Sequence, residues 1–215
     1  MAFLLGSVGG SLDVFSHHMF GTLIATQTGN IILLVADWGS GIPDKTIASV
    51  LSLVFFTIGF VLGILLKDRA KSAFWRIYGI LPLLVVSALY PFFPHHPLLW
   101  IALLAWGAGM MMLTFTGTKI EEHAYVIMMT SGNYRKMVTA WYRYLTGTGD
   151  KLATKRQAIN YTIVVASFVG GAILTGLLVQ VIGGFALWTV SVVLLAIVIV
   201  YTTLVKAYHL EKRNV

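Results

Sequence analysis

Three side chains near the amino end have the chemistry to bind a ligand or to transfer a proton: Asp13, His17 and His18. A carboxylate within an otherwise apolar segment is costly, so it usually faces a cavity or a partner and marks a functional position. The spacing of four residues places Asp13 and His17 on one helix face, which would suit a proton relay. The alternative is that Asp13 lies near the membrane interface or caps a broken helix.

The histidines do not predict a metal site. His95, His96 and His123 lie on loops or helix ends, without ligand-type spacing to His17 and His18. We interpret all five as interfacial residues and expect neither a metal nor a cofactor, while keeping His17 as an accessory residue of the candidate site.

Two short polar tripeptides interrupt apolar stretches in similar places, "TGN" at 28 to 30 and "SGN" at 131 to 133. Glycine allows a chain break, and Thr or Asn can cap the helix that follows. A helix that starts inside the membrane offers free N–H groups and a partial positive charge to an anionic or carboxylate-bearing ligand. The alternative is that these residues only permit close helix packing. The predicted binding residues are Asp13, Thr28, Gly29, Asn30, Ser131, Gly132 and Asn133.

Arg135 and Lys136 follow the second tripeptide and have no counterpart behind the first. They would attract an anion or reach phospholipid headgroups, which makes Arg135 an accessory residue of the site. The favoured interpretation is interface anchoring, because Trp141, Tyr142 and Arg143 lie nearby and these residue types concentrate at membrane interfaces.

The composition of the chain indicates that these residues lie in a membrane protein. Of the 215 residues, 58% are hydrophobic and 11% are charged, with a mean hydropathy of +0.85 and no cysteine. Soluble domains carry about 25% charged residues, so the chain is predicted to be an integral membrane protein. Its net charge of +7 is placed mostly in short clusters between apolar runs, which indicates membrane topology rather than nucleic-acid binding.

The predicted fold is an all-α polytopic membrane domain covering 1–215. A bilayer core requires about 20 mostly apolar residues per helix. Residues 2–20 form a weaker candidate because Asp13 and the histidines interrupt them, and segments 21–38 and 121–145 are broken by the tripeptides. The strong candidates for spanning helices are 46–66, 77–93, 98–118, 157–182 and 185–205.

Basic clusters predict how the two halves, 1–93 and 97–215, are related. Placing the clusters in the cytoplasm favours six crossings with 21–38 and 121–145 re-entrant, so that the second half is an inverted repeat of the first. Both termini would then be cytoplasmic. Eight crossings in two parallel halves would leave one cluster on the wrong side. The clusters are Lys67, Arg69, Lys71 and Arg76; Arg143, Lys151, Lys155 and Arg156; and Lys206, Lys212 and Arg213.

The stretch "GGSLDVFSHHMFGTLIATQTGNIILLV", residues 9–35, resembles the opening motif of the YoaK-like family of small bacterial membrane proteins, whose function is uncharacterised. The matching positions are Gly10, Asp13 and Thr28 to Asn30. The second half departs from the pattern, because Met111 and Met112 stand where a polar amide is expected. The resemblance implies a bacterial inner-membrane location and supplies no substrate.

The sequence therefore predicts a small secondary transporter or channel-like carrier with a midplane site at the two breaks, and not an enzyme. The alternatives are a non-catalytic membrane scaffold or stress-response partner and, less favoured, a lipid-modifying enzyme, for which Glu121 and Glu122 are the only further carboxylates near the breaks. The expected partners are membrane lipids and an unknown small molecule, without nucleic acid. Gly59 and Gly63 form a GxxxG motif that would also serve a homo-oligomer.

Overall fold

The computed structural model describes residues 1–38, 43–116, 119–120, 123–125, 128 and 130–209. Two 3₁₀ turns, Tyr90–Phe92 and Gly183–Leu187, and a two-residue antiparallel pair, β1 (Lys119–Ile120) with β2 (His123–Ala124), complete the described elements. The helices are α1 (Ala2–Phe20), α2 (Gln27–Trp38), α3 (Pro43–Arg69), α4 (Trp75–Leu89), α5 (Pro97–Thr114), α6 (Ser131–Thr146), α7 (Lys151–Ile182) and α8 (Trp188–Ala207).

Several residues of the sequence interpretation lie outside this description. They are the carboxylates Glu121 and Glu122 and the two basic residues of the carboxyl tail, Lys212 and Arg213.

The prediction of an all-helical membrane protein is confirmed at this level. Four stretches are long and apolar enough to cross a bilayer: Asp44–Arg69, Trp75–Phe92, Pro97–Thr114 and Lys151–Ala207. The last comprises α7 and α8, which the 3₁₀ turn from Gly183 separates, so each of the five strong candidates overlaps one of these stretches.

Several helix ends differ from the predicted bounds, and at two of them a local side chain accounts for the observed end. α7 begins at Lys151 rather than at 157, since the Asp150 carboxylate caps it by accepting the Leu152 N–H at 2.9 Å. α5 ends at Thr114 rather than at 118, and the Arg76 guanidinium donates to the Thr114 carbonyl oxygen at 2.9 Å. A basic side chain commonly satisfies the last carbonyls of a helix in this way.

Helices from opposite halves of the chain form the most extensive packing. α1 packs along α7, and α3 packs along α5, each through glycines that let two backbones meet. A methyl group on Gly10 would overlap the Phe168 carbonyl oxygen, and one on Gly109 would overlap that of Phe56. Because lipid tails are as apolar as leucine, close backbone contact of this kind is a main source of helix association in membranes.

These contacts repeat at matching positions. Beyond the carbonyl oxygens, Gly10 also faces the backbone nitrogen of Ala172, and Gly109 faces that of Phe60. The reverse contacts match as well, because Gly171 meets the Ser7 carbonyl and Gly59 meets the Trp106 carbonyl. The α1–α7 and α3–α5 pairs therefore use equivalent residues.

The last helices of the two halves, α4 and α8, run antiparallel. The Tyr201 hydroxyl, late in α8, donates at 3.0 Å to the carbonyl oxygen of Ala73, just before α4 begins. At the other end, the Trp188 indole, which starts α8, donates at 3.1 Å to the Ala88 carbonyl near the end of α4.

The paired glycines of α7 provide a direct test of the close contact. Gly171→Ala should lower the free energy of unfolding by about 1–3 kcal/mol, since its methyl group would overlap the Ser7 carbonyl. Gly170→Ala, one residue away with nothing within 4 Å, should be neutral or stabilising by up to about 1 kcal/mol, because alanine favours helix. Unfolding of both variants in detergent measures the difference, and equal effects would contradict this packing.

Candidate functional site

The Asp13 carboxylate lies buried on α1 and binds the chain that follows the same helix. Its Oδ1 accepts three consecutive backbone N–H groups, from Ile24 at 3.1 Å, Ala25 at 2.7 Å and Thr26 at 3.2 Å. Its Oδ2 accepts the Thr26 hydroxyl in a short hydrogen bond. Successive backbone N–H groups that converge in this way form an anion-binding concavity, and Asp13 supplies the anion.

This arrangement also satisfies the loop that leads into α2. Non-helical backbone at membrane depth is tolerated only where its polar groups find partners, and the carboxylate provides them for residues 24–26. The negative charge of Asp13 also lies close to the first turn of α2, where the helix dipole favours an anion.

Asn30 holds the other side of the same loop. Its Oδ1 accepts the Thr22 hydroxyl at 2.9 Å and the Leu23 N–H at 2.8 Å, and its Nδ2 donates to the Leu23 carbonyl at 2.5 Å. The amide nitrogen also lies within 3.0 Å of Gln27 Oε1 and 3.1 Å of Ser52 Oγ. Asn30 is fully buried, and both ends of its amide are hydrogen-bonded. We call Asp13, Thr22, Thr26, Gln27, Asn30 and Ser52 the first-break cluster.

Thr28 and Gly29 contribute less than the sequence suggested. Thr28 is exposed, and Gly29 takes part through its backbone, donating to the Thr26 carbonyl at 3.1 Å. A methyl group on Gly29 would overlap the Leu23 side chain, so the absence of a side chain at Gly29 lets the loop pack against α2.

Four members of the first-break cluster were not selected from the sequence: Thr22, Thr26, Gln27 and Ser52. Gln27 is a buried amide immediately before the tripeptide, and its Nε2 donates to the Ile24 carbonyl at 2.8 Å. Ser52 lies in α3 and donates to the Leu23 carbonyl at 2.7 Å. The available signal was weak, because a single serine in an apolar helix is common.

The histidines lie apart from Asp13. His17 and His18 are exposed at the end of α1, and the hydrogen bonds of the Asp13 carboxylate all go to residues 24–26. Within the described ranges, no three His, Asp or Glu side chains are placed to hold a metal ion.

At the second break, Asn133 is fully buried, Gly132 is half-buried and Ser131 is exposed. The Thr130 hydroxyl oxygen, directly before α6, is shielded from solvent and has no hydrogen-bond partner among the described residues. Thr130 directly precedes the second tripeptide, as Gln27 directly precedes the first, where the side chain is hydrogen-bonded.

Both breaks rest against α1. The first break is bound to Asp13. At the second, the backbone of Met128 packs directly on Gly9, and a methyl group added to Gly9 would lie only 2.5 Å from the Met128 carbonyl oxygen. Gly9 and Asp13 are one helical turn apart. Met128 is buried and has a left-handed backbone, with φ 57°, which is uncommon for a residue other than glycine. The chain therefore brings both breaks to the same region of α1.

The family of this chain follows from its sequence. A profile of the family described as Protein of unknown function (DUF1275) matches residues 1–200. The chain belongs to this family. No curated protein and no solved structure is significantly similar to it. The match runs from Met1 through most of α8, so the part of this DUF1275 chain that it covers includes both breaks and all the described helices except the end of α8.

The two breaks of this DUF1275 protein differ in their charge. Gly109 on α5 makes backbone contacts like those of Gly10 on α1, and Met112 follows Gly109 by three residues as Asp13 follows Gly10. α5 therefore presents a half-buried thioether where α1 presents a carboxylate. Arg135 lies one turn into α6 on its exposed surface, beside a cavity between α6 and α7.

Asn30 and Thr28 form a matched pair for testing the first-break cluster. Asn30→Ala should lower the free energy of unfolding by about 2–4 kcal/mol, because it leaves the buried Thr22 and Leu23 groups without partners. Thr28→Ala should change it by less than about 0.5 kcal/mol, since Thr28 is exposed. Thermal unfolding in detergent distinguishes them, and a tolerated Asn30→Ala would show that the cluster does not hold the break.

Proposed function

We propose that this protein is a small secondary carrier, built from two inverted halves, that binds a carboxylate-bearing small molecule at the second break. The single observation that carries the proposal is the Asp13 carboxylate seated on three backbone N–H groups at the first break. It supports a carboxylate as the ligand chemistry that a break of this kind would accept.

The direction of the helices supports the inverted arrangement. With eight crossings, α4 and α8 would be the fourth and eighth and would run in the same direction. With six crossings and re-entrant α2 and α6, they would be the third and sixth and would run in opposite directions. The antiparallel contacts of Tyr201 with Ala73 and of Trp188 with Ala88 favour six crossings.

Helix length supports the same topology. α2 has 12 residues and α6 has 16, which correspond to roughly 18 and 24 Å of helix. The hydrocarbon core is about 30 Å thick, so neither helix is long enough to cross it upright. Inverted repeats with broken helices at the midplane are the architecture of many secondary transporters.

The second break is the side at which we place the ligand. Met112 supplies no charge at the position of Asp13, and the Thr130 hydroxyl is buried without a described partner. A ligand carboxylate would take the place that Asp13 takes at the first break, with Ser131, Gly132 and Asn133 starting the helix beside it. Leaving a buried polar group unpaired costs about 1–3 kcal/mol, which a bound ligand would recover.

Further parts of the proposal rest on charge and resemblance. We place the protein in a bacterial inner membrane with a cytoplasmic carboxyl terminus, following the basic clusters and the YoaK-like opening motif. The carrier performs no covalent chemistry and needs no cofactor. Its halves contact each other through α1–α7 and α3–α5, so movement of one half against the other would give alternating access.

A non-catalytic membrane scaffold is the second candidate. It is favoured by the first-break cluster, in which the polar groups of Asp13, Gln27 and Asn30 are all hydrogen-bonded within the chain. Under this alternative both breaks are packing devices, and the protein would bind no small carboxylate.

Topology is tested by a reporter placed in the connection between α6 and α7. A fusion after Gly149 should be cytoplasmic, because a re-entrant α6 returns to the side from which it entered. A fusion after His95, between α4 and α5, should be on the opposite side and serves as the control. A Gly149 fusion on the same side as the His95 fusion would exclude the inverted arrangement.

The ligand site is tested by placing a carboxylate at Met112, the position that the proposal matches with Asp13. In proteoliposomes tested with acetate, succinate and glutamate, Met112→Asp should reduce uptake of the transported carboxylate on the order of a hundredfold, since the two carboxylates would repel. Met112→Asn, which has similar size and no charge, should keep measurable uptake. Absence of uptake of all three by the unmodified protein would favour the scaffold, whereas equal uptake by both variants would exclude the second break as the ligand site.

A further inference from the structure

A polar cavity of about 270 Å³ lies between α6 and α7, away from the first-break cluster. It is lined on α6 by Arg135, Lys136 and Arg143, and on α7 by Gln157 and Tyr161. The described lining contains no carboxylate. Three cationic side chains therefore converge on one small polar volume.

Among the described lining residues, no acid neutralises the arginine charges of this cavity. The stretch from Ser131 to Gln157 contains six basic residues and one acidic residue, Asp150, whose carboxylate caps α7 through Leu152. The guanidinium groups of Arg135 and Arg143 have no ion-pair partner in the part of the chain that the structure describes. Such groups attract an anion strongly, and arginine binds phosphate through two parallel hydrogen bonds.

Side-chain contacts between α6 and α7 fix the walls of this cavity. Lys136 is half-buried, with its ammonium 5.5 Å from the centre of the Tyr161 ring. Ala140, 2% exposed, lets α6 and α7 approach, and Trp141 secures them by donating from its indole nitrogen to the Thr162 hydroxyl at 2.9 Å. The cationic side chains of α6 thus lie on a helix that is packed firmly against α7.

The surface of α6 around the cavity is suited to a membrane interface. Tyr134, Val138, Tyr142 and Leu145 are all exposed, from 49% to 77%. An amphipathic helix with aromatic and aliphatic residues on one surface and basic residues on another lies where lipid headgroups are found.

We propose that this α6–α7 cavity binds a phosphate-bearing anion, held by Arg135, Lys136 and Arg143. The ligand chemistry is that of a phosphate group with at least one negative charge, and its source is either an anionic phospholipid headgroup or a soluble phosphate compound. The site does not depend on the carrier function, because it uses none of the residues beside which that proposal places the ligand, Ser131, Gly132 and Asn133.

The experiment uses the full chain and has two arms. In neutral detergent at constant ionic strength, inorganic phosphate is titrated against chloride, and binding is measured by the shift in thermal unfolding. In the lipid arm, native mass spectrometry compares retention of phosphatidylglycerol with that of phosphatidylcholine. Arg135→Gln and Arg143→Gln are compared with Lys155→Gln, an exposed basic residue of α7 that does not line the cavity.

Each cavity variant should weaken binding about tenfold, as expected for the loss of one charge-assisted hydrogen bond, whereas Lys155→Gln should not. Binding in the phosphate arm identifies a soluble ligand, and selective retention of phosphatidylglycerol identifies a headgroup. Arg143→Lys keeps the charge without the two-pronged geometry and should fall between Arg143→Gln and the unmodified protein. Binding in neither arm, or equal loss with Lys155→Gln, would overturn the site.

Discussion

Backbone polar groups at membrane depth need partners, and the first break shows how this chain provides them. A helix satisfies its own N–H and C=O groups, but residues 21–26 are not helical, so their backbone groups need other partners. Asp13 accepts three N–H groups of this loop, and Asn30 binds both the N–H and the carbonyl of Leu23. The break is stable because two side chains replace the hydrogen bonds that a helix would make.

The second requirement is close contact between helices, because burying apolar surface contributes little to helix association in lipid. The chain meets it with glycines that face backbone atoms, Gly10 against Phe168 and Gly109 against Phe56. Both contacts join helices from opposite halves, so neither half is complete without the other. Since the breaks also rest on α1, at Gly9 and Asp13, the same helix serves packing and positions the candidate site.

Much of this could be predicted from the sequence, and the reasons are physical. Apolar length predicts the spanning helices, and a glycine flanked by Thr and Asn predicts a break, because both signals are local. The partner of Asp13 was not predictable: i,i+4 spacing indicated His17, whereas the carboxylate binds residues 24–26. The pairing of α1 with α7 and of α3 with α5 depends on contacts distant in sequence, as does the cavity between α6 and α7.

The unequal breaks have a common explanation in charge. At the first break, the positive start of α2 and the loop N–H groups are neutralised by Asp13 from within the chain. At the second, the equivalent position is Met112, and the basic residues Arg135 and Lys136 follow on α6, adding positive charge. The first break is thus held by a carboxylate of the chain, whereas basic residues follow the second. Under the proposed carrier function, this difference would make the first half the rigid one and would place the anionic ligand at the second.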